Sequence, residues 1–352
     1  MTCLKNKKIM RTQLNVICKV ILLGGSLVFS YCSKKSKLPA IKPDVISEQT
    51  VNDTDDPAIW INAREPSKSI VFGTDKATNG AIYAFDLAGK IIEEKTIRNI
   101  KRPNNVDIAY GFQLNDSTTI DVLVFTEREA QQIRLFSVPD MQPFDNGGFK
   151  VFQDEEDVIN KLPMGIALYT SAIDHSLYAI VGRKTGPENG YLYQYRIEVI
   201  DGTVTSKQVR KFGKFSQKKE IEAIAVDAEL GFIYYADEQH CIRKYHAEPS
   251  MGNDEITCFG RKYFEKDIEG IAIAKTGMES GYIIVSDQQR NQFYLFDRQT
   301  NQFIKSVNLS TKETDGCEVT TVPLNTTFSS GLFVAMNNKK NFYFFDFNHL
   351  LN

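Results

Sequence analysis

The sequence predicts an all-β protein, a six-bladed β-propeller, and three observations lead to this prediction. A short apolar segment that ends in polar residues occurs six times along the 352-residue chain. An aromatic-rich segment follows each copy, and a segment of small apolar residues precedes each copy. A repeat of roughly 50 residues that holds several short strands is typical of a propeller blade.

The repeat is defined by its most regular segment. The six copies begin at residues 69, 121, 176, 231, 281 and 331, which gives spacings of 52, 55, 55, 50 and 50 residues. They read SIVFGTDK, DVLVFTER, SLYAIVGRK, GFIYYADE, GYIIVSDQ and GLFVAMNN. Each copy is rich in β-branched or aromatic residues and ends in polar ones, as expected of a strand that leads into a loop.

Further strands accompany each copy. The segments that follow are AIYAFDLAGK, QIRLFSV, YLYQYRI, CIRKYHA, QFYLFDR and NFYFFDF. The segments that precede are DDPAIWI, NNVDIAY, MGIALY, EIEAIAV, DIEGIAI and DGCEVTTV. Stretches such as KQVRKFGKF and NQFIKSVNL can supply a fourth, outer strand, so six blades account for residues 45–352. The sixth repeat lacks an outer strand of its own, and we expect Asp44–Val51 to pair there, close the ring and remove an exposed edge.

The N-terminal residues 1–31 are typical of an export signal, because basic residues precede the apolar stretch Val20–Phe29. SLVFSYC resembles a bacterial lipoprotein cleavage box, which predicts lipidation at Cys32, with ordinary secretion or a helical anchor as alternatives. Residues 32–44 then form a polar tether. We therefore expect an exported protein that is periplasmic or anchored to the outer membrane, or else secreted.

Charge and cysteine content exclude several classes of function. Five of the 42 basic residues and none of the 44 acidic residues lie in 1–31, so the remainder carries a net charge of −7. This charge argues against a nucleic-acid partner. Cys241, Cys258 and Cys317 have no CxxC spacing, so they predict neither a disulfide framework nor a zinc site, although one bridge among them remains open.

The repeat gathers polar residues at one end of the propeller, because the start of the inner strand and the end of the second strand lie together in an antiparallel pair. The inner-strand starts supply Asp55, Asp56, Asn104, Asn105, Asp107, Glu220, Glu222, Asp267, Glu269 and Asp315. The second-strand ends supply Asp75, Lys76, Glu127, Arg128, Arg183, Lys184, Asp237, Glu238, Asp287, Asn337 and Asn338. Clustered carboxylates without clustered histidine or thiolate favour Ca²⁺. Lys76, Arg128 and Arg183 on the same rim favour a polyphosphorylated ligand.

Several segments resemble the β-propeller phytases. These are DTDDPAIWIN, TDKATNGAIYAFDLAGK, RPNNVDIAYGF, EIEAIAVDAELGFIYYADE, DIEGIAIA and ETDG, in order from Asp53 to about Phe345. The resemblance implies a monomeric, calcium-dependent phosphatase that binds several Ca²⁺ ions and releases phosphate from inositol hexakisphosphate. Arg183 stands where the family usually has lysine, and Met164 stands where a tyrosine is expected near the calcium cluster.

The resemblance also implies roles for individual residues. The implied metal ligands are Asp55, Asp56, Glu222, Asp237, Asp267, Glu269 and Asp315. The implied substrate-binding residues are Lys76, Arg128 and Arg183, and the implied catalytic residues are Asp55, Glu222, Lys76 and Arg128. Two alternatives stay open at this stage: a non-catalytic binding propeller with structural calcium, and a six-bladed calcium-dependent lactonase.

Overall fold

A computed structural model describes residues 36–352 of the chain. The predicted export signal and the predicted lipidation site at Cys32 lie outside the described residues. In the described range, no helix is both long enough and apolar enough to cross a bilayer.

Within residues 36–352, 24 strands form six four-stranded antiparallel sheets, one for each predicted blade. Blade 1 contains β2 (Thr54–Trp60), β3 (Ile70–Asp75), β4 (Gly80–Phe85) and β5 (Ile97–Ile100). Blade 2 contains β6 (Pro103–Asn115), β7 (Thr118–Glu127), β8 (Gln132–Val138) and β9 (Phe149–Lys150). Blade 3 contains β10 (Pro163–Thr170), β11 (Leu177–Arg183), β12 (Asn189–Ile200) and β13 (Thr203–Lys214).

Blade 4 contains β14 (Ile224–Asp227), β15 (Phe232–Asp237), β16 (Cys241–His246) and β17 (Thr257–Phe259). Blade 5 contains β18 (Ile268–Lys275), β19 (Gly281–Asp287), β20 (Gln292–Asp297) and β21 (Phe303–Val307). Blade 6 contains β22 (Cys317–Thr320), β23 (Leu332–Asn337), β24 (Asn341–Asp346) and the N-terminal β1 (Val45–Ile46). Short 3-10 helices occupy Pro66–Lys68, Glu93–Lys95, Val158–Lys161, Pro249–Met251, Gln288–Arg290 and Phe347–Leu350.

The predicted closure of the ring is confirmed. In β1, Val45 pairs with Phe344 and Ile46 pairs with Tyr343, so the first and last parts of the described chain share one sheet. The preceding residues also contact the propeller, because Ala40 pairs with Asn308 and the Ile41 amide donates to the Asn308 carbonyl over 2.8 Å. Residues 36–44, the described part of the predicted tether, therefore include backbone contacts with blade 5.

The hydrophobic core is divided among the spaces between adjacent blades. Six clusters of buried apolar side chains lie there, one for each of the six neighbouring pairs. Each blade is covered on both faces, which explains why the second and third strands are almost continuously apolar rather than alternating. The aromatic residues of the repeat supply much of this packing, as in the edge-to-face contact of Phe85 with Phe342 across the closure.

The cysteines give one disulfide. Cys241 in β16 is bonded to Cys258 in β17, which links the outer strand of blade 4 to its neighbour. Cys317 is buried and is the one free cysteine among residues 36–352. The possibility of a single bridge, which the spacing leaves open, is thereby resolved.

Candidate active site

The inner strands of four blades begin with a β-bulge. The register shifts between Thr54 and Pro57 in β2, and corresponding shifts occur at residues 103–106, 163–166 and 268–271. The second residue of each bulged strand is Asp55, Asn104, Met164 or Glu269. A bulge bends the strand and redirects a side chain. Asp55, Asn104 and Glu269 contact the polar groups described below. We use the term opening for the end of the propeller at which the inner strands begin.

Asn104 connects three blades at the opening. Its side-chain amide nitrogen donates to Asp55 Oδ2 over 2.9 Å and also to Glu222 Oε1. Its Oδ1 accepts a hydrogen bond from the guanidinium of Arg128. Asn104 is completely buried, so its amide is held between two carboxylates and a guanidinium without access to water. It therefore fixes the relative positions of Asp55, Glu222 and Arg128.

A close approach of two backbones places Glu222. This residue precedes β14, and its carbonyl oxygen lies 1.9 Å from the position that a Cβ atom on Gly165 would occupy. Any other residue at 165 would force this segment away from β10. The glycine in MGIALY thus permits blade 4 to bring Glu222 next to Asn104.

Lys76 lies between two carboxylates of neighbouring blades. Its Nζ is 2.8 Å from Asp55 Oδ1 and 3.4 Å from Asp315 Oδ2. Burial opposes the charge of Lys76, but Asp55, Glu222 and Asp315 outweigh that effect and raise its pKa. The ammonium therefore stays charged in a site with few water contacts, as recognition of an anion requires.

A second carboxylate cluster lies on the blade 4 and blade 5 side of the opening. Glu238, Asp267 and Glu269 can each direct one oxygen so that all three oxygens lie within 4.8 Å of one another. Lys219 Nζ is 2.7 Å from Glu238 Oε2, 2.9 Å from Asp267 Oδ2 and 3.3 Å from Glu269 Oε1. All three carboxylates are buried, and neither oxygen of Glu238 accepts a hydrogen bond in the described part of the chain.

Burial makes ionisation of Asp55, Glu222 and Glu238 unfavourable. Desolvation, together with the charge of Asp315, raises the pKa of Asp55 to about 6, although Lys76 and Arg128 act in the opposite direction. Desolvation and the nearby Asp55 raise the pKa of Glu222 to about 7. Desolvation raises the pKa of Glu238 to about 8 despite its contact with Lys219. A bound cation would relieve this cost by compensating the charges.

The donors present fit calcium. Ca²⁺ takes six to eight oxygen ligands in flexible geometry, and carboxylates are its usual protein ligands. Asp55 and the half-buried Asp315 both contact Lys76, and Asp55 and Glu222 share the Asn104 amide, so these three carboxylates form one group and the second cluster forms another. From the sequence, Glu238 is expected on the rim but not as a metal ligand. Lys219 belongs to no motif or repeat position, so the sequence does not indicate a role for it at the site.

Two of the metal ligands that the resemblance implies, Asp56 and Asp237, make other contacts. Asp56 lines the central channel, a cavity of about 540 Å³, and accepts a hydrogen bond from the Val106 amide. Both Asp237 oxygens are engaged, because Oδ1 accepts from the Ser216 hydroxyl over 2.7 Å and Oδ2 lies 2.7 Å from the Arg243 guanidinium. These contacts of Asp56 and Asp237 do not include the carboxylates of the second cluster.

Arg183 lies in the interior of the protein and not on the rim where the sequence places it. Its side chain is fully buried in blade 3, where its guanidinium lies 2.6 Å from Glu155 Oε1 and within 5 Å of the ring centres of Phe152 and Tyr193. A group with no solvent exposure cannot meet a dissolved ligand in this conformation. The adjacent Lys184 has 41% of its side chain exposed and forms an ion pair with Glu220, so Lys184 is the accessible basic residue of this segment.

Fold and opening together define a class of protein: a closed six-bladed propeller that presents buried carboxylates and basic side chains at one end of its channel. Comparisons with known proteins agree with this class. A family model described as Phytase matches residues 21–343. The chain is 30% identical over 304 residues to the 3-phytase of Bacillus subtilis (strain 168), which covers 80% of this chain and 74% of that protein.

The chain therefore belongs to the phytase family, whose members bind calcium. A similarity to a solved structure titled "Crystal Structure of Mitotic Checkpoint Complex" concerns the fold alone. That comparison gives a TM-score of 0.51 at 8% sequence identity and covers 96% of this chain and 98% of the other. The predicted fold and the predicted family are confirmed.

Proposed function

We propose that the protein is a calcium-dependent phosphomonoester hydrolase that releases phosphate from myo-inositol hexakisphosphate. Membership of the phytase family and the similarity to a 3-phytase support the activity and the class of substrate. The observation that carries the assignment of the site is the contact network of Asn104, which joins two carboxylates to Arg128 at the opening.

The calcium ligands form two groups in this proposal. Asp55, Glu222 and Asp315 belong to the first group, and Glu238, Asp267 and Glu269 belong to the second. Calcium bound by these oxygens would neutralise phosphate charge and lower the pKa of a bound water. Asp56 and Asp237 are left out, because their carboxylates are engaged in the channel and in the ion pair with Arg243.

The chain's own basic residues would bind and orient the phosphate ester. Lys76 is a compact charge held between Asp55 and Asp315, so it would contact one phosphate oxygen. Arg128 has a planar guanidinium whose orientation is fixed by Asn104, and it would stabilise negative charge that develops on the oxygens during in-line displacement. Lys184 replaces Arg183 as the third basic residue, because it is exposed.

Phosphate release from inositol hexakisphosphate tests this proposal. The purified protein is assayed over a calcium titration, with excess chelator in a parallel series. We expect activity that rises with calcium and disappears on chelation. No release at any calcium concentration would contradict the proposed activity, and full activity in chelator would contradict the role of calcium.

We further propose that the protein is exported and lipidated at Cys32. The basic residues before the apolar stretch Val20–Phe29 and the position of Cys32 after it support this proposal. Metabolic labelling with a fatty-acid analogue tests it, with a Cys32→Ser variant as the matched control. Label in the wild type that is absent from the variant is expected, and equal label in both would contradict lipidation at this residue.

A further inference from the structure

The second carboxylate cluster already contains a cation that belongs to the chain itself. Lys219 lies in the segment between β13 and β14, and its ammonium contacts all three carboxylates of the cluster at 2.7 to 3.3 Å. The ammonium is a compact charge that forms ion pairs with all three carboxylates at once, and it donates a hydrogen bond to Glu269 Oε1. Lys219 therefore occupies the centre of the proposed calcium site.

The carboxylates need this cation or a replacement for it. Glu238 has no solvent exposure, and Asp267 and Glu269 are buried as well. Gln239 and Gln289 donate to Asp267 over 2.9 and 2.7 Å, whereas neither oxygen of Glu238 accepts a hydrogen bond within residues 36–352. Ionisation of all three carboxylates requires a cation among them, because their charges would otherwise repel one another with little screening in a site with little water.

We propose that Lys219 is an internal competitor for the divalent cation. The ammonium and a calcium ion require the same carboxylate oxygens, so calcium can enter the cluster only when Lys219 leaves it. Its side chain is 32% exposed, which gives the ammonium a direct route to water. This inference rests on the proposed calcium dependence and adds a mechanism that sets how much calcium the site needs.

Two consequences distinguish competition from simple structural support. Without calcium, Lys219 stabilises the fold by compensating the three carboxylates, and calcium takes over that role when it binds. Removal of the ammonium should therefore weaken the calcium-free protein and strengthen calcium binding in the same variant. A lysine that merely supports the site would give weaker binding when it is removed.

The experiment measures binding of calcium chloride by titration calorimetry, together with melting temperatures in chelator and in saturating calcium. Lys219→Met removes the charge and keeps the length of the side chain. Lys219→Gln is a second variant that also removes the charge but retains a donor for the carboxylates. Lys218→Met is the matched control, because the Lys218 ammonium donates to the Gln239 carbonyl oxygen over 3.3 Å.

We expect each Lys219 variant to bind calcium at least about tenfold more tightly, which corresponds to about 1.4 kcal/mol. We also expect a lower melting temperature in chelator, and a melting temperature in saturating calcium equal to that of the wild type. Lys218→Met should match the wild type in all three measurements. Unchanged or weaker calcium binding in folded Lys219→Gln protein would overturn the proposal.

The failure of this inference can be separated from a failure of the proposed function. Calcium binding is measured without substrate, so it does not depend on phosphatase activity. If no variant and no wild-type protein released phosphate in saturating calcium, the proposed activity would fail while the competition result would stand.

Discussion

Replacement of Asn104 by leucine tests the geometry of the opening most sharply. Leucine has a similar volume but removes the donor to Asp55 and Glu222 and the acceptor for Arg128. A hydrogen bond to a charged group contributes about 2 kcal/mol, and two buried carboxylates lose a donor. Allowing for partial relaxation, we expect the free energy of unfolding to fall by about 3 kcal/mol.

The same substitution should lower kcat/KM for inositol hexakisphosphate about 100-fold, since a misplacement of about 1 Å in reacting groups has effects of this size. The loss should appear in kcat at saturating calcium, because Asn104 holds the reacting groups in position. Steady-state kinetics and thermal unfolding measure the two effects.

Asn341→Leu is the matched control for this variant. Asn341 is a buried amide in β24, and its Oδ1 accepts a hydrogen bond from Asn337 over 3.0 Å. The Asn341→Leu variant should be less stable than the wild type, but its kcat should not fall by a comparable factor. A folded Asn104→Leu protein with kcat/KM within about twofold of the wild type would refute the positioning role of Asn104, since each tenfold change in rate corresponds to about 1.4 kcal/mol.

Three other predictions follow from the same contacts. Glu222→Gln should reduce kcat by about 100-fold and weaken calcium binding in calorimetry, since a calcium ligand is lost; near-normal turnover would remove Glu222 from the site. Arg183→Met should lower the free energy of unfolding by about 3 kcal/mol, because Glu155 loses its buried partner, and should leave KM unchanged; a raised KM would restore a substrate role. In chelator, the melting temperature should fall as the pH rises from 5 to 9. The pKa values of Asp55, Glu222 and Glu238 are raised, so the folded protein holds protons that the unfolded chain has released, and a higher pH favours the unfolded chain. Saturating calcium should flatten this pH profile, and a melting temperature that rises with pH in chelator would contradict the burial of these carboxylates.

The fold could be predicted in detail because the repeat leaves little freedom. A period of about 50 residues fixes the number of blades, and the apolar strands fix their order within each blade. The missing outer strand of the sixth repeat also points to the segment that closes the ring, and Val45–Ile46 does so. These inferences need only the pattern of the sequence.

For the candidate site, the sequence predicts which strand ends supply side chains but not which of two neighbouring residues faces the opening. Successive side chains of a strand point to opposite faces, so an error of one position reverses the direction of a side chain. At the end of β11, the sequence pattern leaves open whether Arg183 or Lys184 faces the opening. At the end of β15, it leaves open the same choice between Asp237 and Glu238. The bulge in β2 adds an irregularity that no repeat pattern encodes.

Lys219 illustrates a different limit. Its contacts depend on the path of the segment between β13 and β14, which has no strand pattern, and on three carboxylates from two blades. A lysine in a polar loop is ordinary in composition, and only the assembled structure brings it to the cluster.

The position of bound calcium is the most direct test of the central claim, that the ring of blades gathers carboxylates into cation sites at one opening. Anomalous scattering from a crystal grown with calcium measures this position. We expect peaks within coordination distance of Glu222 and of the Glu238, Asp267 and Glu269 cluster, with the Lys219 ammonium displaced from it. Calcium peaks found only elsewhere on the molecule, with Lys219 still among the three carboxylates, would contradict the claim.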